Sequence, residues 1–258
     1  MEPSTVTAPP FRVDMHVKVL DEDVVSLAKR RGMDAIVYAP HFSRLPVIRE
    51  RARRFSDDEL LVVPAREVFT GDWKTRKHVL ALDLSEPVPD FITLEAAFEE
   101  FERQDATVLV PHPTYLSIGL SAVDVHRYRD AIDAIELYNP KYLPWHGPRS
   151  RDVLETVDRQ PFASSYAHLP ETVGMAWTEF DDPIEDEADL IDALGNGGVD
   201  RAVRRSGPEY RRRKLAELGH LVYENTWEKV DRLLLSGTEP THPRHIAYDG
   251  RFEDASVY

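Results

Sequence analysis

The chain contains no cysteine in its 258 residues, which excludes disulfides and thiolate sites and leaves nitrogen and oxygen as the side-chain ligands for any metal. Lysine is scarce, 7 against 25 arginines, and basic residues are outnumbered by acidic ones, 32 to 46, for a formal net charge of −14. A surface of that sign repels a nucleic-acid backbone, so a nucleic-acid partner is not expected. No apolar run approaches the roughly 18 residues of a membrane-spanning helix. Residues 1–10 are polar and proline-rich, without the apolar segment of a secretory leader. A soluble, cytoplasmic protein with no membrane partner is the expectation, and nothing in the pattern sets an oligomeric state.

The excess of Asp and Glu over Lys resembles proteins of salt-loving archaea, in which high salt screens self-repulsion; an ordinary acidic cytosolic protein is the alternative. A hydrophobic content of 42% is ample for one barrel-sized core.

Against this background the informative residues are seven metal-capable side chains, His16, His41, Glu67, His78, His112, Glu136 and His168, mostly placed where a short apolar run ends. The runs 11–17, 34–41, 60–67, 106–112, 133–139 and 161–168 read as buried strands that each deliver a polar residue. In a sheet of parallel strands the carboxyl ends share one face, so residues distant in sequence converge there. Imidazole and carboxylate are ligands that Zn, Mn and Fe accept.

Between these runs, 21–32 opens with acids, closes with bases and stops at Gly32, the signature of a helix with both ends complemented. Further helices are predicted over 45–55, over 93–103 and from Ser121, where Ser121 and Asp124 form a capping-box pattern. The alternation predicts an α/β fold with a mostly parallel sheet. The stretch after Glu67 departs from it: Gly71-Asp72 between two strand-like pieces predicts a hairpin returning through 78–82, with Glu67 and His78 facing one another across it. Beyond Asp181 an acidic helix over 185–194 and a Gly-rich break precede a basic run of Arg201, Arg204, Arg205, Arg211, Arg212, Arg213 and Lys214, and the apolar spacing predicts a helix from about 208 to 235. His126, His146, His220, His242 and His245 read as surface residues.

The motifs together resemble those of the PHP (polymerase and histidinol phosphatase) family. Asp14-x-His16-x-Lys18 is similar to the family's Asp-x-His-x-His, Pro40-His41 to its Asp-His, Ala65-x-Glu67 and His78-x-Leu80 to its Gly-x-Glu and His-x-Leu. His112-Pro113 and Glu136-x-x-Asn139 match outright, and Ser165-Tyr166-Ala167-His168 is similar to Ser-Asp-Ala-His. The resemblance spans 11–181 and implies a distorted seven-stranded (β/α) barrel over that range, with 182–258 as a C-terminal helical extension packed on it.

It further implies a divalent metal, Zn or Mn, as one or two ions, with His16, Glu67, His78, His112, His41 and His168 as the ligand set. Two departures fall on one metal position: Lys18 stands where the family has a histidine and Tyr166 where it has an aspartate. An ammonium is a fixed positive charge, so Lys18 is expected where a cation would have been, with Glu67 or Tyr166 as its partner. Asp14 is expected to orient His16. The activity so implied is hydrolysis of phosphoester bonds in a small phosphorylated metabolite or nucleotide, with His41, His168 and Lys18 as catalytic or phosphate-neutralising groups. The alternative is a barrel without catalysis, serving as a binding or scaffolding module.

Overall fold

The computed structural model of this protein describes residues 9–72, 74–223 and 240–257. Nine strands form one sheet: β1 (Phe11–Val17), β2 (Ala35–Tyr38), β3 (Leu61–Thr70), β4 (Lys77–Leu82), β5 (Thr107–Val110), β6 (Ala134–Tyr138), β7 (Gln160–Ala163), β8 (Ala176–Phe180) and β9 (Val199–Arg204). They lie in the order β7-β6-β5-β4-β3-β2-β1-β8-β9. The connections carry α1 (Glu22–Arg30), α2 (Leu45–Phe55), α3 (Leu94–Arg103), α4 (Ala122–Arg127), α5 (His146–Val157) and α6 (Glu187–Gly195), and α7 (Pro208–Tyr223) follows β9.

The helices start where their capping chemistry permits. The Asp21 carboxylate accepts from Val24 N–H at 2.8 Å, and Glu22 and Asp23 in the first turn face Lys29 and Arg30 in the last. Ser121 and Asp124 cap each other reciprocally at the start of α4.

The sheet curls until its ends nearly meet. β7 and β8 share no ladder, but the Thr178 hydroxyl accepts from Ala163 N–H at 3.0 Å and lies 3.3 Å from the Ala163 carbonyl, and Val17 bridges Ala167. A side chain thus closes the wall where backbone pairing stops. The interior is filled by alternate residues of successive strands, Val13 and Met15, Ala35 and Val37, Val63 and Ala65, Leu80 and Leu82, then Leu109, Ala134, Phe162 and Phe180. The opposite faces pack on the helices: Ile36 and Val62 meet Val24, Ala28, Ile48 and Ala52, while Val79, Ala81, Val108 and Val110 meet Phe98, Phe101, Val125 and Val153.

Three expectations are corrected. The sheet has nine strands among the described residues where seven were expected, because β8 and β9 went unread. β9 carries Asp200, Arg201 and Arg204 on an edge, and charged edges lack the apolar alternation that marks a strand. Only four of the eight ladders are parallel, since β4 reverses direction and β8 pairs antiparallel with both β1 and β9. Because β9 joins this sheet, the barrel sheet runs past residue 181 and the C-terminal portion supplies a strand as well as helices. The helix expected over 208–235 is present as α7 to Tyr223; its remainder lies outside the described residues. Among the described residues no helix is long and apolar enough to cross a membrane.

Candidate metal centre

Glu67 continues the inward-facing row of Val63 and Ala65 on β3, one position beyond the packed interior. His78 precedes the inward row of Leu80 and Leu82 on β4, and because β4 runs antiparallel its beginning lies at the same end of the barrel as the carboxyl end of β3. The reversal therefore brings His78 to the site. In register Glu67 stands opposite Leu80 and His78 opposite Phe69, so the two approach diagonally, His78 Nδ1 lying 3.4 Å from Glu67 Oε1. Phe69 stacks on the His78 ring at 4.0 Å with planes 6° apart, which fixes the imidazole in place.

His112 comes from the loop after β5 and adopts φ 36°, a left-handed backbone that a non-glycine residue adopts only when its surroundings hold it there. The surroundings are visible. Glu136 Oε2 accepts from His112 N–H at 2.7 Å and from Asn139 Nδ2 at 3.2 Å, and Glu136 Oε1 accepts from Ser164 Oγ at 2.5 Å, so this one buried carboxylate ties together the loops after β5, β6 and β7. Glycine at 119 is required for the same loop, since a Cβ there would sit 2.2 Å from the His112 carbonyl oxygen. Asp14 plays the equivalent part for the β7 end: its oxygens accept from Ser165 N–H and Gly174 N–H, each at 2.8 Å. Burial drives the Asp14 carboxyl up to about 6 against those bonds.

His16 lies within the register shift between Asp14 and Val17 of β1, an irregularity of the kind that re-aims side chains. Its ring is fully buried, with Nε2 3.7 Å from Glu67 Oε1 and the Tyr166 ring 4.7 Å away. Three imidazoles thus converge on one carboxylate oxygen: His112 Nε2 is 3.3 Å from Glu67 Oε1, with His78 at 3.4 Å and His16 at 3.7 Å.

The other oxygen of Glu67 is held differently. Lys18 Nζ lies 2.5 Å from Oε2 and 2.6 Å from the Ala39 carbonyl, and His41 Nδ1 lies 3.1 Å from Oε2. Lys18 is pushed down to about 8 by burial, which the attraction of Glu67 resists. Burial alone would raise the Glu67 carboxyl; the Lys18 ammonium, aided by the imidazoles, overrides it and holds the group well below the usual carboxylate range. His78 is lowered to about 4 by burial, and His16 and His41 also fall, first through burial and then through Lys18. Neutral imidazoles facing a charged carboxylate are the protonation states that metal ligation requires.

Beyond this lies His168, whose Nε2 is 3.1 Å from His41 Nε2. The residues named from the sequence are therefore brought together at one end of the barrel, with Glu136 and Asn139 around His112 rather than at its centre. Two participants were not read from the sequence. Lys141 is buried and places Nζ 2.5 Å from His168 Nδ1, 3.1 Å from Glu217 Oε2 and 4.1 Å from the Tyr166 ring centroid. Glu217, on α7, accepts from His168 N–H at 3.0 Å and Leu169 N–H at 3.1 Å, and bonds the Thr172 hydroxyl. A usable signal existed for Lys141, one of seven lysines and just after the Glu136-x-x-Asn139 motif; Glu217 gave none, being one acid inside a basic helix. His146, expected at the surface, is buried at the start of α5, where its Nδ1 accepts from Leu143 N–H at 3.2 Å.

Among the described residues, Glu67, His78 and His112 each offer a ligand atom within 4.8 Å of the others. Both ring nitrogens of His16 and His78 and Nδ1 of His112 are buried without a hydrogen-bond partner. Orphaned polar atoms of this kind are costly in an interior and call for a partner. A nitrogen-rich set with one carboxylate and no sulfur suits a divalent ion, which would satisfy the ring nitrogens facing Glu67.

Comparison with known proteins bears on the fold. A family model described as PHP-associated matches residues 144–199. No curated protein matches the chain. Among solved structures, PsfC from Pseudomonas syringae shares 17% identity, with 85% of this chain and 99% of that one covered at a TM-score of 0.62. A protein from Bifidobacterium adolescentis, provisionally assigned as a metal-dependent phosphoesterase, shares 11% identity over 72% of this chain and 97% of its own, with a TM-score of 0.52. An amidohydrolase from Chromobacterium violaceum, with sulfate bound and no metal, shares 12% over 74% of this chain and 97% of its own, also with a TM-score of 0.52. At such identities the structural likeness is one of fold. The matched segment and the shared fold make the chain similar to PHP-family proteins.

Proposed function

We propose that this protein is a metal-dependent hydrolase of phosphoester bonds, acting on a small phosphorylated metabolite or nucleotide. The observation that carries the reading is the buried Glu67 Oε1 faced by His112 Nε2 at 3.3 Å, His78 Nδ1 at 3.4 Å and His16 Nε2 at 3.7 Å, with ring nitrogens that lack other partners. The fold shared with the B. adolescentis protein supports it, as does the sulfate held by the C. violaceum protein, whose tetrahedral anion has the shape of a phosphoryl group.

A divalent ion held by Glu67, His78 and His112, with His16 beside them, would supply Lewis acidity toward a phosphoryl oxygen and acidify water near it. The chain's own groups do the rest. Lys18 pins Glu67 by Oε2 so that Oε1 stays turned to the imidazoles, and it leaves a second positive charge in a dry site where it is worth most. His41 and His168 stand on the Oε2 side and can pass or hold a proton. The Lys18 ammonium standing where the family places a metal ligand argues for one ion rather than two. The net charge of −14 favours a small substrate over a polyanionic polymer.

The test is elemental analysis of protein purified without chelator, paired with a generic phosphomonoesterase and phosphodiesterase assay with added Mn or Zn. Stoichiometric metal and turnover, both lost in His112→Ala, are expected. Metal-free protein that stays folded and inert would overturn the proposal and leave a binding or scaffolding module.

A further inference from the structure

Lys141, Glu217, His168 and His41 form a continuous chain of contacts ending on Glu67. Glu217 Oε2 lies 3.1 Å from Lys141 Nζ, Lys141 Nζ 2.5 Å from His168 Nδ1, His168 Nε2 3.1 Å from His41 Nε2, and His41 Nδ1 3.1 Å from Glu67 Oε2. Lys141, Glu217 and Glu67 are almost wholly buried, so water does not replace a partner at either end of the chain, while His41 in its middle is partly exposed.

The order of donors along this chain is set by its two ends. An ammonium has only donors, so the contact with His168 Nδ1 requires a lone pair there, and the ring proton must then reside on Nε2. His168 also has Nδ1 2.9 Å from the Tyr166 carbonyl, and an Nδ1–H would satisfy that carbonyl. It would, however, set two donors 2.5 Å apart, and Glu217 holds the ammonium in place. With its proton on Nε2, His168 donates to His41 Nε2; His41 must then carry its own proton on Nδ1, which faces the Glu67 carboxylate. At the far end that carboxylate can only accept. Both ends demand the same direction.

An imidazole that carries its proton on one nitrogen and accepts a hydrogen bond at the other offers no lone pair to a cation. We propose that Lys141, anchored by Glu217 of the C-terminal helix, is a positioning residue that fixes His168 and His41 as a one-directional hydrogen-bond relay onto Glu67 and thereby withdraws both from the metal ligand set. The inference rests on the hydrolase reading only for the ligands of the ion. It gives a joint role to the two residues brought in from outside the strand-end motifs. Glu217 holds Lys141 through Oε2, and through Oε1 it holds the backbone of the His168 turn. The consequence is a single-ion site whose second imidazole pair is held with its N–H groups directed toward the Oε2 side of Glu67.

The experiment is nitrogen-15 NMR of the histidine rings in the chelator-stripped full chain, with His168 assigned by comparison with His168→Gln. The expected result is a protonated Nε2 and a bare Nδ1 on His168. A protonated Nδ1 overturns the inference. In Lys141→Met the proton is expected to move to Nδ1, where the Tyr166 carbonyl accepts it; an unchanged tautomer also overturns it. Should Lys141→Met fail to fold, Glu217→Gln is the second variant: it retains an oxygen for the His168 and Leu169 amides and is expected to move the same signal in the same direction. Zinc added to the wild-type chain should shift the His78 and His112 nitrogens and leave the His168 tautomer intact. Zinc shifts on both His41 and His168 of the size seen at His78 would sink the relay while sparing the hydrolase reading. Absence of zinc binding would sink that reading alone, because the tautomer is measured without metal.

Discussion

Lys18→Met removes the ammonium bonded to the Glu67 carboxylate and nearly preserves side-chain length, so its main effect is electrostatic. At 2.5 Å and an effective dielectric near 20, the gross attraction is about 7 kcal/mol. Most of it is offset by the desolvation of two groups that are both almost fully buried. Removing one partner from such a pair leaves the other charge uncompensated and typically costs about 3–5 kcal/mol. Urea unfolding of chelator-treated wild-type and Lys18→Met protein should show that deficit. Repeating the measurement in saturating Zn or Mn should shrink it, because the ammonium and a divalent ion beside the same carboxylate repel, so the variant binds the ion more tightly than wild type; each tenfold gain in affinity removes about 1.4 kcal/mol of the deficit. A Lys18→Met protein within about 1 kcal/mol of wild type in chelator would refute the claim that Lys18 compensates Glu67. An equal deficit with and without metal would refute the claim that ammonium and ion share one carboxylate.

Two further substitutions probe the frame around the ion. Glu136→Gln keeps the shape but removes the charge that His112 N–H, Asn139 and Ser164 all address; a loss of about 1–3 kcal/mol is expected in urea unfolding, together with weaker metal binding in a chelator-competition titration. Gly119→Ala places a Cβ 2.2 Å from the His112 carbonyl and 2.7 Å from Tyr115 N. Both are backbone atoms that cannot swing aside, so the same titration should show at least a several-fold loss of affinity, and affinity equal to wild type would mean that this loop does not set the position of His112.

How much of this was legible follows from the range of the forces involved. Period-two apolar runs and cap residues act within a few positions, so β1 to β7 and α1 to α4 could be read locally, as could Glu67, His78 and His112 at run ends. β8 and β9 could not: Trp177 and Glu179 on β8, and the arginines of β9, owe their places to pairs such as Arg12 with Glu179 and Arg201 with Glu179, made between strands distant in sequence. The α5 helix was hidden for a related reason, since His146 and Ser150 are buried polar residues on its inner face.

The sequence by itself determined the chemistry available: imidazole and carboxylate groups, no thiolate, an acidic body, and a lysine and a tyrosine at two positions where the resemblance to the PHP family implies metal ligands. Only the tertiary structure decided how those groups divide. It gave one oxygen of Glu67 to three imidazoles and the other to Lys18 and His41, and it brought Lys141 and Glu217 to His168 from a loop and a helix 76 residues apart. Local periodicity sets which face a side chain takes, whereas the partner of a buried charge is set by the closing of the barrel, because burial removes water as an alternative and forces each charge onto the group that folding puts beside it.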